Sequence, residues 1–204
     1  MNNIIYFNKY AKERGGVIMC PPINRIYGKS AMEILKEFDD SNNIQTNLTN
    51  ILTNIGISAL PLDFSELEKK LKKGHILGLV LKDDKNAVIY YSNKDSSNRQ
   101  RFTIAHELGH ICKHLVPDSS DYPYIDWRIE EESSNHKEME ANIFAGELLI
   151  PLPKLKEIYL SMTLQTSPEL AKIFGTSVNV MEERLNYLKV SYYNKEGQVV
   201  RNYG

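Results

Sequence analysis

The chain has 204 residues, 42% of them hydrophobic and 25% charged, which is enough to bury one proper core and too balanced for wholesale disorder. Lys and Arg number 25 against 26 Asp and Glu, and the formal charge of -1 excludes the overall basic field behind nonspecific nucleic-acid binding. No run is long enough to span a bilayer and the N-terminal residues lack the layout of a signal peptide, so a cytoplasmic protein with no membrane contact is expected.

Residues 1 to about 29 carry Gly15-Gly16, Pro21-Pro22 and Gly28, which break any long period; they read as an extension packed on the domain. Of the two cysteines, Cys20 falls in a loop there as a free thiol, and Cys112 reads as a small core residue; they form no CxxC pair. Ser30-Ala31-Met32-Glu33 has the capping-box pattern and predicts a helix through about Phe38, ended by the polar run Asp39 to Asn43. Ile44, Leu48, Ile51, Leu52 and Ile55 follow helical spacing up to a stop at Gly56. Asp63 and Glu66 predict a second capping box, on a short helix with Leu67 and Leu71 inward and Gly74 at its end. His75 to Leu81 and Ala87 to Ser92 then read as a β-hairpin around the turn Asp83-Asp84-Lys85-Asn86. An exposed edge of that hairpin would accept an extended peptide; the alternative is a hairpin that only covers the core.

Arg101-Phe102-Thr103-Ile104-Ala105-His106-Glu107-Leu108-Gly109-His110 contains His-Glu-x-x-His. On a helix the two histidines lie one turn apart on one face, where both imidazoles can share a metal ion. A catalytic zinc takes three protein ligands and keeps a position for water, so His106 and His110 are two candidate ligands and Glu107 the candidate proton carrier. Ser96, Ser97 and Asn98 offer cap acceptors, and Phe102, Ala105, Leu108, Ile111, Cys112 and Leu115 recur at helical steps, so a packed helix is expected here. Alone, the motif also fits two satisfied histidines on a core helix.

Pro117 to Asn135, with six acidic residues and Tyr122, Tyr124 and Trp127, reads as a long loop, either a rim over the cleft or a solvated acidic segment. A helix from Lys137 to about Ile150 follows, with Ala141, Phe144, Ala145 and Leu148 as a narrow apolar stripe for close helix packing. If it packs on the histidine helix, Glu138 can reach the metal, and Asn142, one turn on, can orient a ligand. Glu140 is the rival, but it points about 200° round the helix from Glu138 and the two cannot both face the ion. His114 is a rise of about 12 Å past His106 and cannot bind the same ion. His75 and His136 have no assigned place.

Pro151 to Leu160 reads as a helix, Ser167-Pro168 as the cap of another through Phe174, and Gly175 as a turn. Thr176 or Ser177 caps a last helix with Val178, Met181, Leu185 and Leu188 buried. That outline is also a helix-turn-helix, which raises a DNA-binding regulator with a structural metal as a rival reading. Glu182 and Glu183 against Arg184, with Lys189 beyond, disfavour direct DNA contact. Val190 to Arg201 looks like a small hairpin or a frayed tail.

Three stretches together carry a resemblance: Arg-Phe-Thr-Ile-Ala-His-Glu-Leu-Gly-His, Glu-x-x-Ala-Asn-x-Phe-Ala-x-x-Leu-Leu-Ile-Pro at 138 to 151, and Leu-Ala-x-x-Phe-Gly-x-Ser at 170 to 177. In this order they resemble the ImmA/IrrE family of metallo-endopeptidases over roughly residues 44 to 188. The resemblance implies an α+β, mostly helical, zincin-like domain of the gluzincin kind, with a small antiparallel hairpin beside the HExxH helix. It assigns His106, His110 and Glu138 as metal ligands and Glu107 as acid/base. It implies zinc, though manganese and iron also suit such ligands, and cleavage of a helix-turn-helix repressor encoded with a phage or mobile element or in a stress response. Some members instead sit beside a helix-turn-helix antitoxin, and a non-cleaving repressor-binding protein is a further alternative. Residues 1–43 read as an N-terminal extension and helix, 44–190 as the peptidase domain, and 191–204 as a tail. With no room for a repressor-like domain before residue 44, the repressor is expected to be a separate protein. For the oxyanion, Tyr122, Tyr124, His136 and Arg101 are the available donors, and the sequence does not choose among them.

Overall fold

The computed structural model describes residues 23–72, 74–83, 86–117, 124–129 and 136–202, so Cys20 and Tyr122 lie outside the described residues. A 3-10 turn, Ile23–Arg25, leads to α1 (Ala31–Phe38), α2 (Leu48–Ile55), β1 (Ser58–Leu62), α3 (Ser65–Leu71), β2 (Ile76–Asp83) and β3 (Asn86–Ser92). Then come α4 (Ser97–Lys113), β4 (Tyr124–Ile129), α5 (His136–Leu149), α6 (Leu152–Ser161), α7 (Ser167–Phe174), α8 (Val178–Tyr187), β5 (Tyr192–Tyr193) and β6 (Val199–Val200). This is the α+β, mostly helical arrangement that the sequence implies.

Local chemistry sets several of these elements. Ser30 and Glu33 form the expected capping box, Ser30 N donating to Glu33 Oε2 at 2.8 Å and Glu33 N to Ser30 Oγ at 3.3 Å. Gly56 ends α2 at φ 89°, where a side chain would be strained. The second capping box does not form. Asp63 Oδ1 takes the Ser65 amide at 2.9 Å in a local turn, Glu66 pairs with Lys69, and α3 stops at left-handed Lys72 before reaching Gly74. At the C-terminal end, Thr166 caps α7 in place of Ser167, whose hydroxyl instead donates to Glu182 at 2.7 Å. Ser177 caps α8, the second of the two offered residues.

The four-stranded sheet has order β1-β3-β2-β4, with β1 parallel to β3 and the other pairs antiparallel. The predicted hairpin is therefore the middle of the sheet, not an edge: β3 is covered by β1 and β2 by β4. Strand β4 lies inside the segment read as a loop. Its sequence alternates Ile125, Trp127 and Ile129 with Tyr124, Asp126 and Arg128, a period-two pattern obscured by the surrounding acidic residues. β1 was missed for the opposite reason: it is five residues long and holds Pro61, tolerated because this is an edge strand.

α4 lies between this sheet and α5. Residues 105–112 are all buried, polar ones included, because the helix has neighbours on opposite sides. The side chains of Ser96, Ser97 and Asn98 do not cap it; Asn98 Nδ2 instead donates to Thr176 O at 2.9 Å and ties the helix start to the α7–α8 turn. Ile23, Ile26, Ile34 and Phe38 share one core cluster with α2, α4 and α5, and Gly28 N donates to Cys112 O at 2.7 Å. β5 and β6 form the small C-terminal hairpin, anchored by buried Tyr192 and by Tyr193 N donating to Gln165 O.

Candidate metal centre

The site depends on how closely α4 and α5 approach. A Cβ on Gly109 would lie 3.2 Å from the Ala141 Cα and from Phe144 side-chain atoms, so the fourth residue of His-Glu-x-x-His has no side chain because the α5 backbone is there. That approach brings α5's first turn to the histidines. His106 Nε2 lies 3.1 Å from Glu138 Oε2, His110 Nε2 lies 3.2 Å from Glu138 Oε1, and the two Nε2 atoms are 2.9 Å apart. His106, His110 and Glu138 are the group of metal-ligating side chains that meets among the described residues. Both histidines are buried and Glu138 is partly buried.

The donor set fits a divalent ion. Tetrahedral bonds of about 2.05 Å separate ligand atoms by about 3.3 Å, and the three edges here fall within a few tenths of that. The outward nitrogens are occupied: His106 Nδ1 lies 2.9 Å from Asn142 Oδ1, and His110 Nδ1 lies 3.1 Å from His114 Nδ1. Each ring thereby turns Nε2 inward. Burial raises the Glu138 pKa, but hydrogen bonds and charge from His106 and His110 outweigh it and hold the carboxyl well below its ordinary range.

Glu107 is 1% exposed and faces the sheet. Its Oε1 lies 3.0 Å from where a Cβ of Gly78 would stand, beside Thr103 Cγ2 at 2.5 Å from the same point. Gly78 borders the register shift between β2 and β4, so the sheet is locally opened and bare where Glu107 sits.

The other sequence candidates go elsewhere. Glu140 reaches His114 at 3.0 Å and His136 at 3.4 Å, away from the triad. His75 bridges Glu68 and Asp95, each at 3.0 Å. Arg101 is tied up as scaffold, Nε donating to Gly175 O at 3.2 Å and Nη2 to Thr46 O at 3.0 Å, which removes it from the oxyanion donors. For Tyr124 only the backbone is described. His114 is the neighbour that spacing alone missed: too far along the helix for the ion, it is still one turn from His110. Next to the triad a cavity of about 590 Å³ opens between α5 and α8, walled by Phe102, Met139, Asn142, Ile143 and Tyr187.

Buried Arg184 also departs from expectation. Its Nη1 is 3.6 Å from Glu147 Oε1 and its Nε donates to Ile150 O at 3.4 Å, so the cation of α8 turns inward onto α5. Cys112 is the inert core residue expected, burial pushing its thiol up to about 12.

No curated protein and no solved structure matches the chain. Residues 60–186 match the family model for peptidase M78, the IrrE N-terminal-like domain. That span is more than half of the chain and contains α4, α5 and all four residues of the centre, and with it the chain belongs to the M78 peptidase family, the metallopeptidases of the ImmA/IrrE type.

Proposed function

We propose that this metallopeptidase is a zinc-dependent endopeptidase that cuts a helix-turn-helix repressor in the cytoplasm and so relieves repression. The observation that carries the reading is the meeting of His106, His110 and Glu138 with buried Glu107 on the same helix. In this reading His106, His110 and Glu138 hold the ion. Zinc so held supplies Lewis acidity, acidifying a water and polarising a peptide carbonyl. Asn142 keeps His106 with Nε2 inward. The Glu107 carboxylate takes the proton from the attacking water and returns it to the leaving amine nitrogen.

The substrate class follows from the family resemblance. Two features support a protein partner over DNA. The only arginine of α8 is drawn inward to Glu147, and the helix surface it leaves carries Glu183 exposed. Among the described residues no helix is long and apolar enough to cross a membrane, in keeping with a cytoplasmic substrate.

Intact-mass analysis of the helix-turn-helix repressor encoded beside the gene, after incubation with the zinc-loaded protein or with Glu107→Gln, tests the reading. Discrete fragments from the wild type alone are expected. A repressor that stays whole yet binds both proteins would replace cleavage by sequestration.

A further inference from the structure

Behind His110 a line of hydrogen bonds leads away from the triad. His110 Nδ1 lies 3.1 Å from His114 Nδ1, and His114 Nε2 lies 3.0 Å from Glu140 Oε2. The same Glu140 oxygen is 3.4 Å from His136 Nδ1. His114 is the C-cap of α4, with φ -121° and ψ -21°, so the helix has just ended and the ring can fold back towards His110. Its side chain is only 6% exposed, a burial that a mere surface ion pair with half-exposed Glu140 does not need.

The proton arrangement has one consistent solution. A histidine that offers Nε2 to a cation keeps its proton on Nδ1, so His110 donates to His114 Nδ1. The accepting nitrogen carries no proton, so that of His114 sits on Nε2 and points at the Glu140 carboxylate. Every link then has one donor and one acceptor, and the line ends on an anion. Asn142 does the same for His106 in a single step.

We propose that His114 and Glu140 are positioning residues of the metal centre. His114 receives the His110 Nδ1 proton, which fixes that ring's orientation and tautomer, and Glu140 fixes the tautomer of His114. The proposal rests on the metal reading of His106, His110 and Glu138. It gives Glu140 a place that its direction on α5 hides: excluded as a ligand, it reaches the same ion through two imidazoles.

Zinc affinity of the full chain, read by competition with a chromogenic chelator, is the test, with melting curves of the zinc-free and zinc-loaded proteins beside it. His114→Leu is expected to weaken zinc binding roughly tenfold to a hundredfold, and Glu140→Ala by about tenfold. His114→Gln should recover most of the loss, because its carbonyl accepts from His110 and its amide donates to Glu140. The zinc-free melting temperatures should stay together while the zinc-induced rise shrinks in His114→Leu. Wild-type affinity in both His114→Leu and Glu140→Ala would overturn the relay and leave the metal site standing. Equal loss in His114→Leu and His114→Gln, with a lowered zinc-free melting temperature, would also overturn it, since packing alone would then explain the residue. A wild type that binds no zinc would overturn the metal reading itself.

Discussion

Glu107 and Glu138 are two carboxylates at one site whose surroundings separate their tasks. Glu138 faces two imidazoles and is held ionised, the state that a ligand needs. Glu107 is buried against bare Gly78, beside the Thr103 methyl, on the sheet side of the helix. The two variants should therefore fail differently. Glu107→Gln is expected to keep zinc and fold but lose roughly a hundredfold to ten-thousandfold in cleavage, since only the proton carrier changes. Metal analysis beside a turnover assay checks it, and cleavage at the wild-type rate would remove Glu107 from the mechanism. Glu138→Ala should instead strip the metal, with a loss far beyond that of Glu140→Ala; the reverse order would reassign the third ligand.

At the scale of elements, the centre exists because three of them approach unusually closely. Gly109 and Gly78 permit this on the two sides of α4. Gly109→Ala adds roughly 1 kcal/mol of helix propensity, set against about 1–3 kcal/mol for overpacking, because the nearest atom is the Ala141 backbone. Stability should fall by at most about 2 kcal/mol, while zinc affinity falls as α5 moves off; urea unfolding and chelator competition on one sample separate the two effects. Unchanged affinity would show that the contact has slack.

A second junction joins α3, the start of β2 and the loop before α4 through His75. Burial lowers the pKa of this histidine, but Asp95 and Glu68 raise it more, and the net value lies above 6.5. A folded-state pKa raised above the unfolded one adds stability that is complete below pH 6.5 and is lost as pH rises through the folded value. His75→Gln should thus cost more at pH 6 than at pH 8.5, by less than about 1 kcal/mol because the ring is partly exposed. Melting curves at the two pH values decide it, and a cost independent of pH would refute the ionic bridge.

For the whole molecule, a ligand that binds only the folded state stabilises it by mass action. Zinc at a hundred times its dissociation constant adds about 2.7 kcal/mol, which for a chain of this size raises the melting temperature by roughly 5–10 °C. Calorimetry with zinc and then with a chelator should show the rise and its reversal. No rise in the wild type would mean that the triad holds nothing.

Histidine spacing, the α5 stripe and the cap at Ser30 were legible in the chain because each is a local pattern, set by helical periodicity or by residues three or four apart. The order of three stretches, the histidine motif, residues 138 to 151 and residues 170 to 177, was enough to point to the family and to the fold. What the chain alone left open was everything that depends on which distant surfaces meet. The hairpin became the sheet's centre because β1 and β4 joined it, strands too short or too charged to announce themselves. Arg101 and Arg184 turned inward because buried carbonyls and Glu147 were there to receive them. Sequence determined the ligand types and their spacing on each helix. Only the tertiary structure decided that α5 lies close enough on Gly109 to bring Glu138 between the histidines, and that His114 folds back to meet His110, because contact across chain separations depends on packing and not on periodicity.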